Sequence, residues 1–140
     1  MKTFIKLAGI ITMFLFVSAV AMASDQVPEK YNLDSQLERV STITDYTFMG
    51  WNKVDNQSFV LQTGPSNYYL VVLSSPSDHL VFSETLRIDS TNNMVRPGYN
   101  SVFVHGNGFK DQYIINRIYK FKDTAQMNQI EAQLTGATNG

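Results

Sequence analysis

The chain contains no cysteine. That absence excludes a disulfide scaffold, a thiol nucleophile, a thiolate zinc site and an anchor attached through an N-terminal cysteine. Histidine is nearly as scarce, with only His79 and His105. They have no H-x-H or H-E-x-x-H spacing, so no metal signature exists and both read as loop or strand-end residues. A serine nucleophile would need an elbow such as G-x-S-x-G, which is missing. A Ser-His-Asp triad assembled only in space stays open. Gly106-Asn107-Gly108 is followed by neither a helix nor a P-loop lysine, so there is no phosphate loop of that kind. Charge of one sign is also lacking. Eleven basic residues face 12 acidic ones, which excludes the global basic field of a nucleic-acid binder. The acids from Glu29 to Glu131 stand singly in polar stretches and form no evident carboxylate pair for glycosidic chemistry. No cofactor and no metal are expected, and no catalytic residue can be named.

Long apolar runs are confined to the beginning. Lys2 and Lys6 precede a charge-free stretch from Leu7 to Val20, and Ala21-Met22-Ala23 then meets polar Ser24-Asp25-Gln26. This order predicts a secretory signal peptide over 1–23, cleaved near Ala23-Ser24. At about 14 residues the stretch is shorter than the roughly 20 of a spanning helix. Cleavage leaves 117 residues and nine basic groups against 12 acidic ones, a net charge of −3. The mature protein is expected in the periplasm or outside the cell, without a membrane span.

The rest divides into an arm with a short helical segment (24–42), one β domain with a C-terminal helix (43–136) and a tail (137–140). Leu33, Leu37 and Val40 have helical spacing behind Asp34. From Ile43 onward, short apolar or alternating runs are separated by turn residues roughly every ten positions. The runs are Ile43–Trp51, Ser58–Thr63, Tyr68–Leu73, Leu80–Ile88, a short piece at Met94-Val95, Ser101–His105 and Tyr113–Phe121. Six apolar residues in a row from Tyr68 to Leu73 predict a strand buried on both faces. Asp123 and Gln126 form a capping box, Met127, Ile130 and Leu134 one apolar stripe, and Gly136 a stop. The expectation is an all-β fold, a small antiparallel barrel or bent sandwich of about six to eight strands, with the helix covering an edge.

Aromatic residues are the distinctive content. Without Phe4, Phe14 and Phe16 of the leader, 14 remain, including seven tyrosines and Trp51. Most belong to the core of a small domain without disulfides. Trp51, Tyr46, Tyr68, Tyr99 and Tyr113 are the candidates for a ligand groove. Lys110, Arg117, Lys120 and Lys122, interleaved with Tyr113 and Tyr119, form the one local basic excess, read as a solvated strand face.

The order Gly50-Trp51, Val54-Asp55, Thr63-Gly64-Pro65, Tyr69-Leu70, Leu80, Ile88, Gly98-Tyr99-Asn100-Ser101-Val102 and Ile115-Asn116-Arg117-Ile118-Tyr119 resembles a family of small exported bacterial proteins of unknown function. Its marks are a "Y-L-L-x-L" strand, here Tyr69 to Leu73, and a terminal "I-x-x-I-Y" strand, here Ile115 to Tyr119. The resemblance implies an all-β fold with a short C-terminal helix and a Gram-negative source. It brings no activity. It also implies cysteines near Ser75-Pro76 and at Tyr113, a disulfide this chain must replace by packing. The functional expectation is a non-catalytic periplasmic domain that binds a small ligand, an envelope component or a protein partner. An envelope-directed hydrolase and an inhibitor or accessory subunit of an envelope complex are the alternatives.

Overall fold

The computed structural model describes residues 27–80, 85–106 and 108–139, and the expected signal segment lies outside them. Among the described residues a 3-10 turn at Glu29–Tyr31 comes first and seven strands follow. These are β1 (Glu38–Val40), β2 (Gly50–Lys53), β3 (Ser58–Gly64), β4 (Asn67–Leu73), β5 (Thr85–Ile88), β6 (Ser101–Gly106) and β7 (Phe109–Lys120). One helix, α1 (Thr124–Asn139), follows. All pairings are antiparallel, in the order β2-β3-β4-β7-β6-β5, with β1 also on β7. The result is a nearly closed barrel-like sheet with a C-terminal helix, as the sequence predicts. No helix among the described residues is long and apolar enough to cross a membrane.

The strand β7 organises the sheet. Its first half, Phe109–Ile114, pairs with β6, and Ile115–Lys120 pairs with β4 on the opposite edge. β1 takes up the vacated edge only at Ile118–Lys120. Between β6 and β1 the loop around Arg96–Asn100 covers part of the gap, at Ile115, with Gly98 N donating to Ile115 O and Ile115 N donating to Asn100 O. A bulge sits at the same place. Val72 faces Arg117 but Leu73 faces Ile115, which leaves Asn116 as the extra residue. The bulge shifts the alternation by one, so Ile115 and Ile118 both reach the barrel interior.

The apolar run of β4 is buried on both faces, as its composition predicts. Val71 and Leu73 join Phe59, Leu61, Val102, Val104 and Ile118 inside the barrel. Leu70 and Val72 face outward and are covered by the N-terminal arm and α1 through Tyr31, Leu33, Leu37, Ile130 and Leu134. The end of β7 contributes Tyr119 and Phe121 to this second layer.

Polar contacts fix the arm in place. Asp55 is only 7% exposed. Its carboxylate accepts from Tyr31 Oη at 2.7 Å, Ser58 Oγ at 2.8 Å and the Gln57 N–H at 2.9 Å, and it pairs with Lys30 at 3.2 Å. Tyr119 Oη donates to Tyr31 O at 2.8 Å and accepts from the Leu33 N–H at 3.0 Å. A buried carboxylate is tolerated because its acceptor sites are filled.

Several elements differ from the sequence expectation. Leu33 to Leu37 makes a single turn, with Gln36 and Leu37 N–H both donating to Leu33 O, and the predicted helical segment ends there because Glu38–Val40 is drawn into pairing with β7. Within Ile43–Trp51 only Gly50 and Trp51 belong to a strand, since Ile43 forms an isolated bridge to Val95. Of the run Leu80–Ile88, the described strand is Thr85–Ile88, and 81–84 lie outside the described residues. β7 begins at Phe109, four residues early, because the tight turn after β6 lets pairing start at once. There Phe109 lies over Gly106, where a Cβ would stand 2.1 Å from its ring. The helix is capped as expected, by Asp123 Oδ1 accepting from Gln126 N–H, while the Gln126 side chain accepts from Lys122 N–H. It runs through Gly136 instead of stopping there, since the backbone ladder continues and no αL residue interrupts it.

Two outcomes test this account. Burial first, and the hydrogen bond to Asp55 second, hold the Tyr31 hydroxyl neutral well above the ordinary tyrosine range. Tyr31→Phe should cost about 1–2 kcal/mol in urea unfolding at neutral pH. A raised native pKa gives stability that is complete below the unfolded value of about 10 and lost as pH rises beyond it, so the gap between the two proteins should narrow above that pH. A gap that does not change with pH would contradict the assignment. Gly136 has open space around its Cβ position, and Gly136→Ala should stabilise the protein by about 0.5–1 kcal/mol.

Candidate functional site

The five aromatic candidates do not converge. Tyr46 and Tyr113 pack against the barrel interior, as does Trp51, whose ring meets Phe59 edge-on at 6.0 Å between centroids. Burial pushes the Tyr46 hydroxyl up to about 12. Tyr68 packs instead with the outer layer. It lines a groove of about 220 Å³ between the sheet and α1, with Trp51, Asn52, Gln62, Met127 and Glu131 among the other walls. Trp51 borders this groove while its ring packs toward the interior. In the groove Glu131 accepts from Asn52 Nδ2 at 3.3 Å, and burial raises its carboxyl pKa while that amide pulls it down. Tyr99 stands apart, 79% exposed. Trp51 and Tyr68 border one groove, and the five candidates do not share a single one.

The histidines are also separated. Residues opposite one another in an antiparallel pair share a face. His105 faces Lys110, on one side of the β6–β7 hairpin, whereas Asp111 faces Val104, on the interior side. His79 Nδ1 meets Asp111 Oδ2, and the imidazole stacks on Phe109 with ring centroids 4.1 Å apart. This pair orients the imidazole, but Ser77 Oγ accepts from the His79 backbone N–H and not from the ring. No group of three or more metal-ligating side chains occurs among the described residues.

What the fold does assemble is a cluster of arginines. The gap on the edge of β7, between β6 and β1, opens as a cleft of about 340 Å³. Its lining comes from Arg39, Val40 and Ser41 of β1 and the residue after it, Arg96, Pro97 and Tyr99 of the loop, and Asn116 and Arg117 of β7. No carboxylate is part of the wall. Arg39 lies opposite Tyr119 in the register and sits over its ring, 5.7 Å from the centroid. Its ion pair is with Asp34, at 3.0 Å. Arg117 donates to Asn116 Oδ1 at 2.6 Å and to Tyr31 O at 3.4 Å. Arg96 contacts only the sulfur of Met94 with its guanidinium, at 3.8 Å. Among the described residues neither Arg96 nor Arg117 forms an ion pair. Three arginines thus line one opening, and two of them have no ion-pair partner among the described residues, which makes this wall locally positive in a chain with a net charge of −1.

The loop that carries Arg96 and Tyr99 is held rigidly. Asn100 is 3% exposed. Its Oδ1 accepts from Arg96 N–H at 2.7 Å, its Nδ2 donates to Thr91 Oγ1 at 3.2 Å, and its own N–H donates to Arg96 O at 3.0 Å. Gly98 adopts φ +84°, a conformation that favours glycine. The basic stripe read from the sequence is dispersed by the same register. Arg117 turns toward the cleft, and Lys110 lies on the β6-paired half of the strand. Arg39 and Arg96 carry no local signal in the sequence, because the three arginines come from segments that only pairing with β7 brings together.

The chain matches, over residues 1–137, a family described as "Family of unknown function (DUF6491)", and it belongs to that family. An unknown-function family is what the strand motifs imply. No curated protein and no solved structure matches the chain.

The loop geometry makes a prediction. Asn100→Ala removes a buried amide that pins both sides of the loop, and should lower stability by about 1–3 kcal/mol in chemical denaturation. Unchanged stability would show that the loop is not held by this residue.

Proposed function

We propose that this is an exported, non-catalytic binding domain of the bacterial envelope, working in the periplasm or outside the cell after cleavage near Ala23-Ser24, and that it takes an anionic ligand in the arginine cleft. The leader-like order of residues 1–23 supports export. The observation that carries the binding reading is the wall itself: Arg39, Arg96 and Arg117 line one cleft that contains no carboxylate. Guanidinium groups present paired donors in a planar fork that matches oxyanions. Arg39 is already paired with Asp34, whereas Arg96 and Arg117 have no ion-pair partner among the described residues, and an anion would supply one.

The hydrolase alternative has the His79–Asp111 pair in its favour. It lacks a nucleophile on the imidazole among the described residues, and binding is the stronger reading. The accessory-subunit alternative draws on exposed Phe48 and Met49 beside β2, which ends the sheet order. Nothing on that edge selects a partner.

The test is a thermal-shift titration of the purified protein with inorganic phosphate, sulfate and citrate at low salt. At least one should raise Tm saturably. Arg96→Ala, which removes an exposed side chain, should leave the unliganded Tm near that of the wild type and weaken binding about tenfold or more. Rising ionic strength should weaken it further. If no anion shifts Tm, or if the variant responds like the wild type, the reading is wrong.

A further inference from the structure

The arginine cleft does not stand alone. A second cleft of about 140 Å³ adjoins it, and the two share Arg96 and Tyr99 as a common wall. Beyond that wall the second cleft is uncharged, lined by Thr91, Asn92, Met94 and Asn100. Asn100 spends its amide on Arg96 and Thr91, as described. The Asn92 amide and the Tyr99 hydroxyl have no hydrogen-bond partner among the described residues. Asn92 is held outward by a left-handed backbone, φ 54°, in the turn closed by Thr91 and Met94.

Resting on the anion-binding reading above, we infer that the two clefts together take one ligand with two unlike parts, a phosphorylated sugar. The phosphoryl group occupies the arginine cleft, and the sugar ring crosses Tyr99 into the neutral one. A phosphomonoester brings nearly two negative charges and three acceptor oxygens near neutral pH. That matches two uncompensated guanidiniums, with a third beside them. A carboxylate brings one charge and two oxygens, which a single guanidinium satisfies bidentately. The neutral cleft offers an amide, a hydroxyl and an exposed aromatic face, which suit the hydroxyls and the apolar ring face of a sugar. Beyond the shared Arg96 it offers no charge for a second ionic group, and at about 140 Å³ it is the smaller of the two clefts. Because Asn100 pins the shared loop, the two halves are presented at a fixed distance, so little ordering is left to occur on binding.

Isothermal titration of the purified protein with glucose 6-phosphate, inorganic phosphate, glucuronate and glucose tests this. Glucose 6-phosphate should bind about tenfold or more tightly than inorganic phosphate or glucuronate, and glucose should bind weakest. Arg96→Ala should weaken both phosphate ligands. Asn92→Ala, at a position outside the arginine cleft, should weaken glucose 6-phosphate at least about threefold and leave inorganic phosphate unchanged, with a thermal melt confirming that the variant is folded. Inorganic phosphate binding as tightly as the sugar phosphate, or an Asn92 variant that behaves as wild type, would overturn the sugar inference and leave the anion site standing. Glucuronate binding as tightly as glucose 6-phosphate would overturn the phosphate assignment alone. Binding of none of the three anions would overturn this inference and the reading it rests on.

Discussion

A buried strand must satisfy its backbone groups along both edges, and in this protein the demand falls on β7. At 12 residues it is longer than any of its neighbours. β4 serves one edge over the second half, while the other edge is divided between β6 and β1, with the loop at Arg96–Asn100 between them. This division bends the sheet toward closure and places the Asn116 bulge at the bend. It also leaves an opening in the one place where three separate segments meet. The arginine cleft is a consequence of how β7 is paired, and a shift in that pairing would move Arg117 away from Arg39 and Arg96.

The chain reaches this arrangement without a covalent staple. Where the family resemblance implies a disulfide, between the Ser75-Pro76 neighbourhood and Tyr113, the Ser74 N–H donates to Ile114 O and the partly buried Tyr113 packs against the barrel core. At the same end of β3 and β4, where Gln57 bonds to Leu73, Asp55 accepts from Tyr31, and Tyr119 donates to Tyr31 O, so the arm is tied there. These contacts do two jobs at once. They neutralise polar groups that would otherwise be buried unpaired, and they position the arm that leads into β1 and thus into Arg39.

The strands were legible wherever one rule governed a short window. Alternation marked β3 and β6, and an unbroken apolar run between breakers marked β4 as a doubly covered strand. The capping residues of α1 were legible for the same reason, since a cap is a contact between near neighbours. Legibility failed where a distant partner outvoted the local pattern. Leu33, Leu37 and Val40 had helical spacing, but three residues of backbone pairing to β7 took Val40 into a strand. The aromatic residues are less legible as site candidates. Tyrosine and tryptophan serve cores and grooves equally well, and only their packing separates Tyr46, Trp51 and Tyr113 against the barrel core from Tyr99 on the surface.

By itself, the sequence determined the class of fold, the positions of most turns, the double burial of β4 and the absence of thiol chemistry, because each follows from composition or from the spacing of neighbours. Only the tertiary structure decided which charged residues stand together. Arg39, Arg96 and Arg117 are far apart along the chain, and although Arg117 lies in a local basic excess, nothing in the flanks of Arg39 or Arg96 marks them. Their meeting depends on the register of β1 against β7, on the bulge at Asn116 and on the loop that covers part of the remaining edge. Register is a property of paired strands, so a site built across it becomes visible only once the pairing is known.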